Sequence, residues 1–122
     1  MKLRLGTATI SYEDDGRALI ELQHLPHVRT RELKAASDLD PSGRPISIEI
    51  LSVAHLFGTK ETGALLAALD ASGVVYSYDR ENDALIVNIN AIGEDPSTQR
   101  PTMVRFLYDN QDKLAAVEVI GR

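Results

Sequence analysis

The sequence predicts a mainly β single domain with a central helix, an α+β fold in which two pseudo-symmetric four-stranded antiparallel meander repeats share one chain. Three observations predict this fold. A hairpin-like stretch at residues 12–20 recurs at 78–86, after 66 residues. A second hairpin at 40–51 recurs at 109–120, after 69 residues. The one region with leucines at helical spacing lies between the two copies.

The first copy opens with residues 2–12, interpreted as one strand that bends at Gly6. Two aspartates and a glycine at 14–16 supply a turn, because Asp accepts backbone hydrogen bonds and Gly adopts positive φ without strain. Residues 17–23 form the return strand, with alternate side chains on one face, namely Ala18, Ile20 and Leu22. Pro26 lacks an amide donor and interrupts this strand as a bulge, an edge or a loop.

The next two strands form the second hairpin. Residues 29–39 have helical propensity, but the repeat favours a strand there. Residues 40–44 form a tight turn with Gly43 in the left-handed position. Residues 45–51 alternate strictly and place Ile46, Ile48 and Ile50 on one face.

The helical region follows the first copy. Residues 52–57 predict a short helix closed by Gly58 as its C-terminal cap. Thr59 is placed to cap a second helix, whose leucines recur at helical spacing and which ends at 72–73.

The second copy repeats the pattern with a longer loop. Predicted strands cover 74–78, 84–90, 102–108 and 114–120, with Leu85, Val87 and Ile89 on the buried face, and 93–101 forms a surface loop.

The repeat divides the chain. At the offset of 66, identities are Tyr12/Tyr78, Ala18/Ala84, Leu19/Leu85 and Ile20/Ile86. At the offset of 69, Asp40/Asp109, Arg44/Lys113 and Glu49/Glu118 match. The difference of three residues falls in the second copy's loop. We therefore predict one domain, 1–122, with repeat 1 at about 2–58, a helical connector at about 59–72 and repeat 2 at about 73–122.

These motifs also resemble a known family. Tyr-Glu-Asp-Asp-Gly-Arg-Ala-Leu-Ile at 12–20, and its counterpart at 78–87, resemble the opening of small prokaryotic proteins grouped as domain of unknown function 2283. Residues 40–51, ending Ile-Glu-Ile-Leu, resemble the closing signature of that family. The resemblance covers 8–58 and 74–120. It implies the fold and an association with compact toxin-like partners, and it implies no activity.

In the second copy Asp112 and Lys113 replace the family's Gly-Arg, and no helix follows Ile120. The resemblance there rests on the hairpin pattern alone.

Composition excludes several classes of protein. The 122 residues contain no cysteine, so a disulfide framework and thiolate chemistry are absent. No apolar run approaches the roughly 18 residues of a membrane helix, and the N-terminus lacks the apolar stretch of a signal peptide. A net charge of −5 and 5% aromatic residues disfavour a nucleic-acid platform. We predict a cytoplasmic protein.

Residues with metal-binding chemistry cluster near the first hairpin. The candidates are Glu13, Asp14, Asp15, His24, His27 and, on the short helix, His55. A catalytic zinc needs three protein ligands in fixed geometry, whereas here a proline separates two histidines and the second copy has none. We interpret them as surface residues and predict no metal or cofactor.

Two further sets of residues have a functional and a structural interpretation. Glu49 and Glu118 occupy matching positions and would form an acid–base pair if symmetry joined them. The alternative is that each lies on the outer face and pairs with a cation near the same turn, Arg44 or Lys113. The basic run Arg29, Arg31, Lys34 and Arg44 is interrupted by acidic residues, which disfavours a nucleic-acid surface.

We predict a non-catalytic β-domain that acts through protein–protein contact, as a homo-oligomer, most simply a dimer, or with a protein partner. Open strand edges motivate this prediction. One alternative is a small-molecule or metal-binding protein, or an enzyme, that uses the seam between the repeats. Another is an antitoxin-like partner of a small basic protein. We predict neither nucleic-acid nor membrane binding, and no catalytic residue stands out.

Overall fold

The computed structural model describes residues 2–5, 7–13, 17–23, 26, 28–89 and 98–120, with side chains from residue 7 onward. These residues form one antiparallel sheet of nine strands and two helices, which confirms the mainly β fold. The elements are β1 (Lys2–Leu5), β2 (Ala8–Tyr12), β3 (Ala18–Glu21), β4 (Arg29–Leu39), β5 (Pro45–Leu51), α1 (Val53–Phe57), α2 (Thr59–Ala71), β6 (Tyr76–Asp79), β7 (Ala84–Asn88), β8 (Thr98–Tyr108) and β9 (Leu114–Ile120).

The order of the strands differs from two separate meanders. It runs β1-β2-β3-β9-β8-β4-β5-β7-β6. β3 pairs with β9 instead of β4, and β7 pairs with β5 instead of β8. The predicted meander is therefore wrong at the middle of each copy. Pairing with the other half gives each inner strand two neighbours and leaves fewer unpaired backbone groups than two isolated meanders would.

The pairing registers are related by fixed offsets. The central pair β4–β8 runs from Arg29↔Tyr108 to Leu39↔Thr98. At the offset of 69 the counterpart of Arg29 is Thr98 and that of Leu39 is Tyr108, so the first pair of this ladder corresponds to the last. The ladders that flank it also correspond, because Ala36↔Glu49 in β4–β5 becomes Arg105↔Glu118 in β8–β9. Each flanking ladder has a register shift at its turn end, at Asp38/Leu39 and at Leu107/Tyr108.

The first hairpin and its counterpart do not align without a gap. Tyr12 pairs with Ala18, whereas Tyr78 pairs with Leu85, so the return strands correspond at an offset of 67. The gapless match at 66 is wrong beyond the turn, since the second turn holds one more residue. Leu19 and Leu85 therefore lie on opposite faces: Leu19 is half-buried, while Leu85 is fully buried.

The N-terminal segment forms two strands instead of one. β1 pairs antiparallel with β2, from Lys2↔Ser11 to Leu5↔Ala8. The bend predicted at Gly6 lies outside the described residues. The Thr7 amide, between the two strands, donates to the Ser72 carbonyl at 2.9 Å. This bond fastens the hairpin to the end of α2.

The core lies inside the curl of the sheet. Alternate strand positions fill it with fully buried side chains, among them Ile10, Ile20, Ile48, Ile50, Leu85, Val104 and Val117. The Tyr12 hydroxyl donates to the Pro45 carbonyl at 3.0 Å, which joins two strands that are far apart in the strand order. Phe57 meets Phe106 edge to face at 5.5 Å, a contact worth about 1 kcal/mol beyond its buried area.

The helices have different ends from those predicted. Gly58 has φ 88° and closes α1, as its C-terminal position predicted. The predicted cap at Thr59 is wrong, because Thr59 is the first residue of α2 and Gly58 precedes it without a side-chain cap. The Asp83 carboxylate accepts from the Ala54 and His55 amides at 2.8 and 3.0 Å, which satisfies the first turn of α1.

Tyr78 fixes the carboxylate that caps α1. Its hydroxyl donates to Asp83 at 2.6 Å. This hydrogen bond and those of the α1 amides outweigh burial and lower the pKa of Asp83. The same bond to the carboxylate raises the pKa of Tyr78. These hydrogen bonds fix the β6–β7 hairpin against α1.

Candidate functional site

The ladder between β4 and β5 opens early. It stops at Ala36↔Glu49, whereas the corresponding ladder β8–β9 continues through Val104↔Val119 and Met103↔Ile120. From Arg29 to Ala35, β4 therefore pairs with β8 on one side, and no described strand pairs with it on the other. In an antiparallel strand every second residue points its N–H and C=O away from a given neighbour. The opening exposes such groups.

Helix α1 explains the opening. Ser52 follows β5 with φ 63°, which turns the chain out of the strand direction. Val53 and Phe57 are buried in the core, so α1 pulls the end of β5 away from β4. The second copy has no corresponding helix within the described residues, and β9 stays paired to Ile120.

A groove of about 760 Å³ fills this opening. Consecutive β4 residues from Glu32 to Ala36 run along its middle. The β5 and α1 side is lined by Glu49, Leu51, Ser52, His55 and Leu56, and the β8 side by Pro101 and Met103. We call it the β4 groove. Leu51 and Leu56 are 58% and 49% exposed beside it. An open strand edge flanked by exposed apolar side chains is the form of a site that accepts an extended segment.

The β4 groove also holds an unneutralised carboxylate. Glu118 receives a hydrogen bond from Arg105 at 3.0 Å, and Arg105 also contacts Glu32 at 3.3 Å. Glu49, at the corresponding position, faces Ala36 across its ladder. In the part of the chain that the structure describes, no cation lies within ion-pair distance of half-buried Glu49.

A second cavity, of about 580 Å³, lies between α2 and the sheet. It is lined by four alanines of α2, by apolar side chains of the sheet and core, and by polar groups, among them Gln23, Glu61, Tyr108, Asp112 and Lys113. We call it the α2 cleft. Its residues come from both predicted repeats and from the connector.

A cluster of charges ties α2 to the sheet beside this cleft. Arg31 Nη1 lies 2.7 Å from Glu61 Oε2, and Arg29 Nη2 lies 3.5 Å from Glu61 Oε1. Arg29 also contacts Asp112 at 3.1 Å. Burial would lower the pKa of Arg29, but these two carboxylates outweigh it and raise the pKa. The two guanidinium groups lie over aromatic rings, Arg29 over Tyr108 and Arg31 over Phe57, both at 4.2 Å.

Of the metal-binding candidates that the structure describes, His55 lines the β4 groove and Glu13 lines neither cavity. Asp14, Asp15, His24 and His27 lie outside the described residues. Glu13 and His55 are exposed. Among the described residues no group of three or more histidines and carboxylates is arranged to hold a metal ion.

The two matching glutamates are not brought together. β5 and β9 are separated by β8 and β4, so three strand spacings, roughly 14 Å, lie between the strands that carry Glu49 and Glu118. Both are on the outer face, as predicted, because Ile48 and Ile50 point inward. The predicted turn cation is wrong for Glu118, which pairs with Arg105 on the neighbouring strand instead of Lys113.

The basic run is divided by strand geometry. Arg29 and Arg31 point inward and pair with Glu61, whereas Lys34 is exposed on the other face and Arg44 stands in a turn. Alternate residues of a strand face opposite sides, so these cations form no continuous patch.

Sequence reasoning missed Tyr108, Glu61 and the β4 groove. Tyr108 was interpreted only as a strand residue, although its counterpart at the offset of 69 is Leu39. A hydroxyl at a position that tolerates leucine was the available signal. The groove gave no signal in the sequence, because it depends on where β4 and β5 separate.

In the described chain no helix is both long and apolar enough to cross a membrane. A scan against protein-family models finds no match, and searches of curated proteins and of solved structures find none either. The resemblance to domain of unknown function 2283 therefore stays a prediction from the residues that carry it.

Proposed function

We propose that this protein is a non-catalytic binding domain whose β4 groove accepts an extended, cationic segment of a protein partner. The observation that carries the proposal is the early opening of the β4–β5 ladder, which leaves the β5-side edge of β4 without a described strand partner from Glu32 to Ala35. An added strand would use these backbone groups for affinity and the flanking side chains for specificity.

Three features favour a cationic, partly apolar segment. Leu51 and Leu56 offer apolar surface on one side of the groove. Glu49 supplies a half-buried carboxylate that no described cation neutralises. The chain carries a net charge of −5, which steers a basic partner toward it. The chemistry fits the partner class that the family resemblance implies.

We also propose that the chain is a fused pair of one β-unit, in which each half lends a hairpin to the other. The fixed offsets of the β4–β8, β4–β5 and β8–β9 registers support this interpretation. On this interpretation the β4 groove is where the pseudo-symmetry fails, since α1 and α2 follow the first half and no described helix follows the second.

The test uses the full chain and a synthetic eight-residue peptide of alternating valine and arginine. Binding is followed by backbone NMR and amide hydrogen exchange. We expect slowed exchange at alternate amides between Glu32 and Ala35, and we expect Glu49→Gln to weaken binding about threefold to tenfold, as for a partly exposed ion pair. Glu118→Gln is the matched control, because it has the same register position in a closed ladder.

Peptide controls separate pairing from charge. A peptide of alternating valine and glutamate should bind weakly, and a central proline in the arginine peptide should abolish amide protection, because proline cannot donate to the ladder. Protection at no β4 amide, or equal binding to both glutamine variants, would contradict the proposal.

A second copy of the chain is the competing occupant. Light scattering of the wild type and of Leu51→Asp distinguishes the two cases. A dimer that Leu51→Asp dissociates would show that a second copy covers the groove, and the proposal of a different partner would then fail. A wild-type mass that Leu51→Asp leaves unchanged, together with peptide binding, supports the cationic partner.

A further inference from the structure

The α2 cleft contains a buried hydroxyl without a partner. Tyr108 is 3% exposed and lines the cleft, and among the described residues its hydroxyl makes no hydrogen bond. An unsatisfied buried hydroxyl costs folding free energy. Leu39, the counterpart of Tyr108, is 6% exposed and fills its position without one. The fold therefore does not require the hydroxyl, and a binding role would explain it.

The hydroxyl is a hydrogen-bond donor over the physiological pH range. Burial, and then the negative charge of Glu61, raise the pKa of Tyr108 to about 12. The group stays protonated and would donate to an acceptor atom. Its own ring is held in place by the Arg29 guanidinium at 4.2 Å.

The walls of the cleft describe the rest of a ligand. Ala64, Ala67, Ala68 and Ala71 form one wall along α2, and Leu22, Leu65 and Leu114 lie around it. These small side chains leave room for a flat apolar body. The volume of about 580 Å³ is in the range of small-molecule sites.

The carboxylates near Tyr108 already have cationic partners. Glu61 pairs with Arg31 and Arg29, Asp112 pairs with Arg29, and Lys113 adds a further cation to the lining. Because neither carboxylate is left for a cationic ligand, the lining favours an uncharged molecule over a cation.

The geometry points to a small-molecule site in the α2 cleft, for an uncharged, largely apolar organic molecule with one carbonyl oxygen that accepts from the Tyr108 hydroxyl. This site is separate from the β4 groove, and its existence does not depend on the partner proposed above.

The experiment uses two probes that differ in the acceptor. Fluorine NMR of 4′-fluoroacetophenone and of fluorobenzene is recorded with the full chain, its Tyr108→Phe variant and its Ala64→Phe variant. We expect saturable binding of 4′-fluoroacetophenone with Kd on the order of 1 mM, in keeping with a ligand of this size. Tyr108→Phe should weaken this binding about fivefold to tenfold and leave fluorobenzene unchanged.

Ala64→Phe is the blocking variant. It places a ring at an exposed helix position in the cleft lining, so it should keep the fold and reduce binding of both probes. The urea midpoint of each variant verifies folding. No saturation of 4′-fluoroacetophenone at about 10 mM, ten times the expected Kd, equal affinities for wild type and Tyr108→Phe, or unchanged binding by Ala64→Phe would each overturn the site.

Discussion

The turns at residues 40–44 and 109–113, here the first and second turns, are alike in backbone and different in surroundings. Asp40 Oδ1 accepts from the Ser42 and Arg44 amides, both at 2.9 Å. Asp109 Oδ1 accepts from the corresponding Gln111 and Lys113 amides at 2.8 and 3.0 Å. Both carboxylates have lowered pKa values, since these hydrogen bonds outweigh burial.

The surroundings of the two turns differ: α1 and α2 follow β5, whereas no described helix follows β9. At the first turn Tyr12 contacts the Pro45 carbonyl, and the Arg44 guanidinium lies 5.6 Å from the Tyr12 ring. At the second turn Lys113 and Tyr108 border the α2 cleft. Local sequence fixes a turn, whereas the element packed against it decides whether a cavity forms.

The largest expected effect tests the shifted register of the hairpins. Leu85→Ala removes a fully buried side chain and should cost about 3 kcal/mol of unfolding free energy. Leu19→Ala, at the same place in the gapless sequence match, should cost less than about 1 kcal/mol because Leu19 is half-buried on the outer face. Urea denaturation measures both.

The same experiment tests whether the halves are interleaved. β3–β9 and β7–β5 pairing joins the two predicted repeats, so each variant should unfold in one transition with an unchanged m-value. Equal costs for the two leucines would refute the register shift. Two separate transitions would show that the halves fold independently.

Local patterns predicted most of the elements and few of the partners. Alternation identified β5 and the buried faces of β3 and β7, because a strand's period depends only on its own residues. The pairing of β3 with β9 and of β5 with β7 could not be predicted, because any of the strands has the apolar face and backbone groups that pairing needs. The extra residue in the turn before Leu85 gave no signal, because Ala18 and Ala84, and Leu19 and Leu85, are identical at the offset of 66.

A somewhat smaller effect is expected at high pH, at the second turn alone. The pKa of Tyr108 is about 12 in the folded chain and about 10 in the unfolded chain. The folded state therefore holds this proton up to a higher pH than the unfolded state does. The contribution of Tyr108 to the free energy of unfolding is constant below pH 10 and decreases by about 2–3 kcal/mol as the pH rises to 12 and beyond. Thermal melts of wild type and Tyr108→Phe between pH 9 and about 12 measure the difference.

Leu39 occupies the counterpart position at the first turn, so no equivalent loss arises there. Tyr108→Phe should lack this component and should match or exceed wild-type stability at pH 7, because the unpaired hydroxyl is gone. A pH profile identical to that of the wild type would contradict the assignment. Absorbance of tyrosinate provides an independent titration.

A smaller loss of stability is expected at the ion pairs that hold α2 against β4. Glu61→Gln removes the partner of Arg31 and Arg29 and should cost about 1 kcal/mol, less at high salt, since all three side chains are partly exposed. Lys60→Gln is the control, because Lys60 is the preceding residue and is exposed; it should leave the urea midpoint unchanged. Equal urea midpoints for the two variants would indicate that packing alone holds the helix.

The candidate sites were less predictable than the fold. Glu49 was recognised as an outer-face carboxylate, but its missing partner depends on Ala36 lying opposite it, where the other half has Arg105. The α2 cleft depends on the position of a helix whose alanines give no directional signal in the sequence. Charge and periodicity identify faces, while sites arise where two elements fail to close on each other.

The smallest effect compares the left-handed residues of the two turns. Gly43 has φ 90° and Asp112, its counterpart, has φ 59°. Gly43→Ala introduces a Cβ that meets nothing within 4 Å, so its cost is the backbone strain alone, about 1 kcal/mol. Asp112→Gly relieves the same strain and loses only an exposed contact with Arg29, so its urea midpoint should equal or exceed that of the wild type. If the two turns have equivalent backbones, Gly43→Ala should lower the urea midpoint and Asp112→Gly should not. A lower midpoint for both variants would show that the second turn depends on its ion pair.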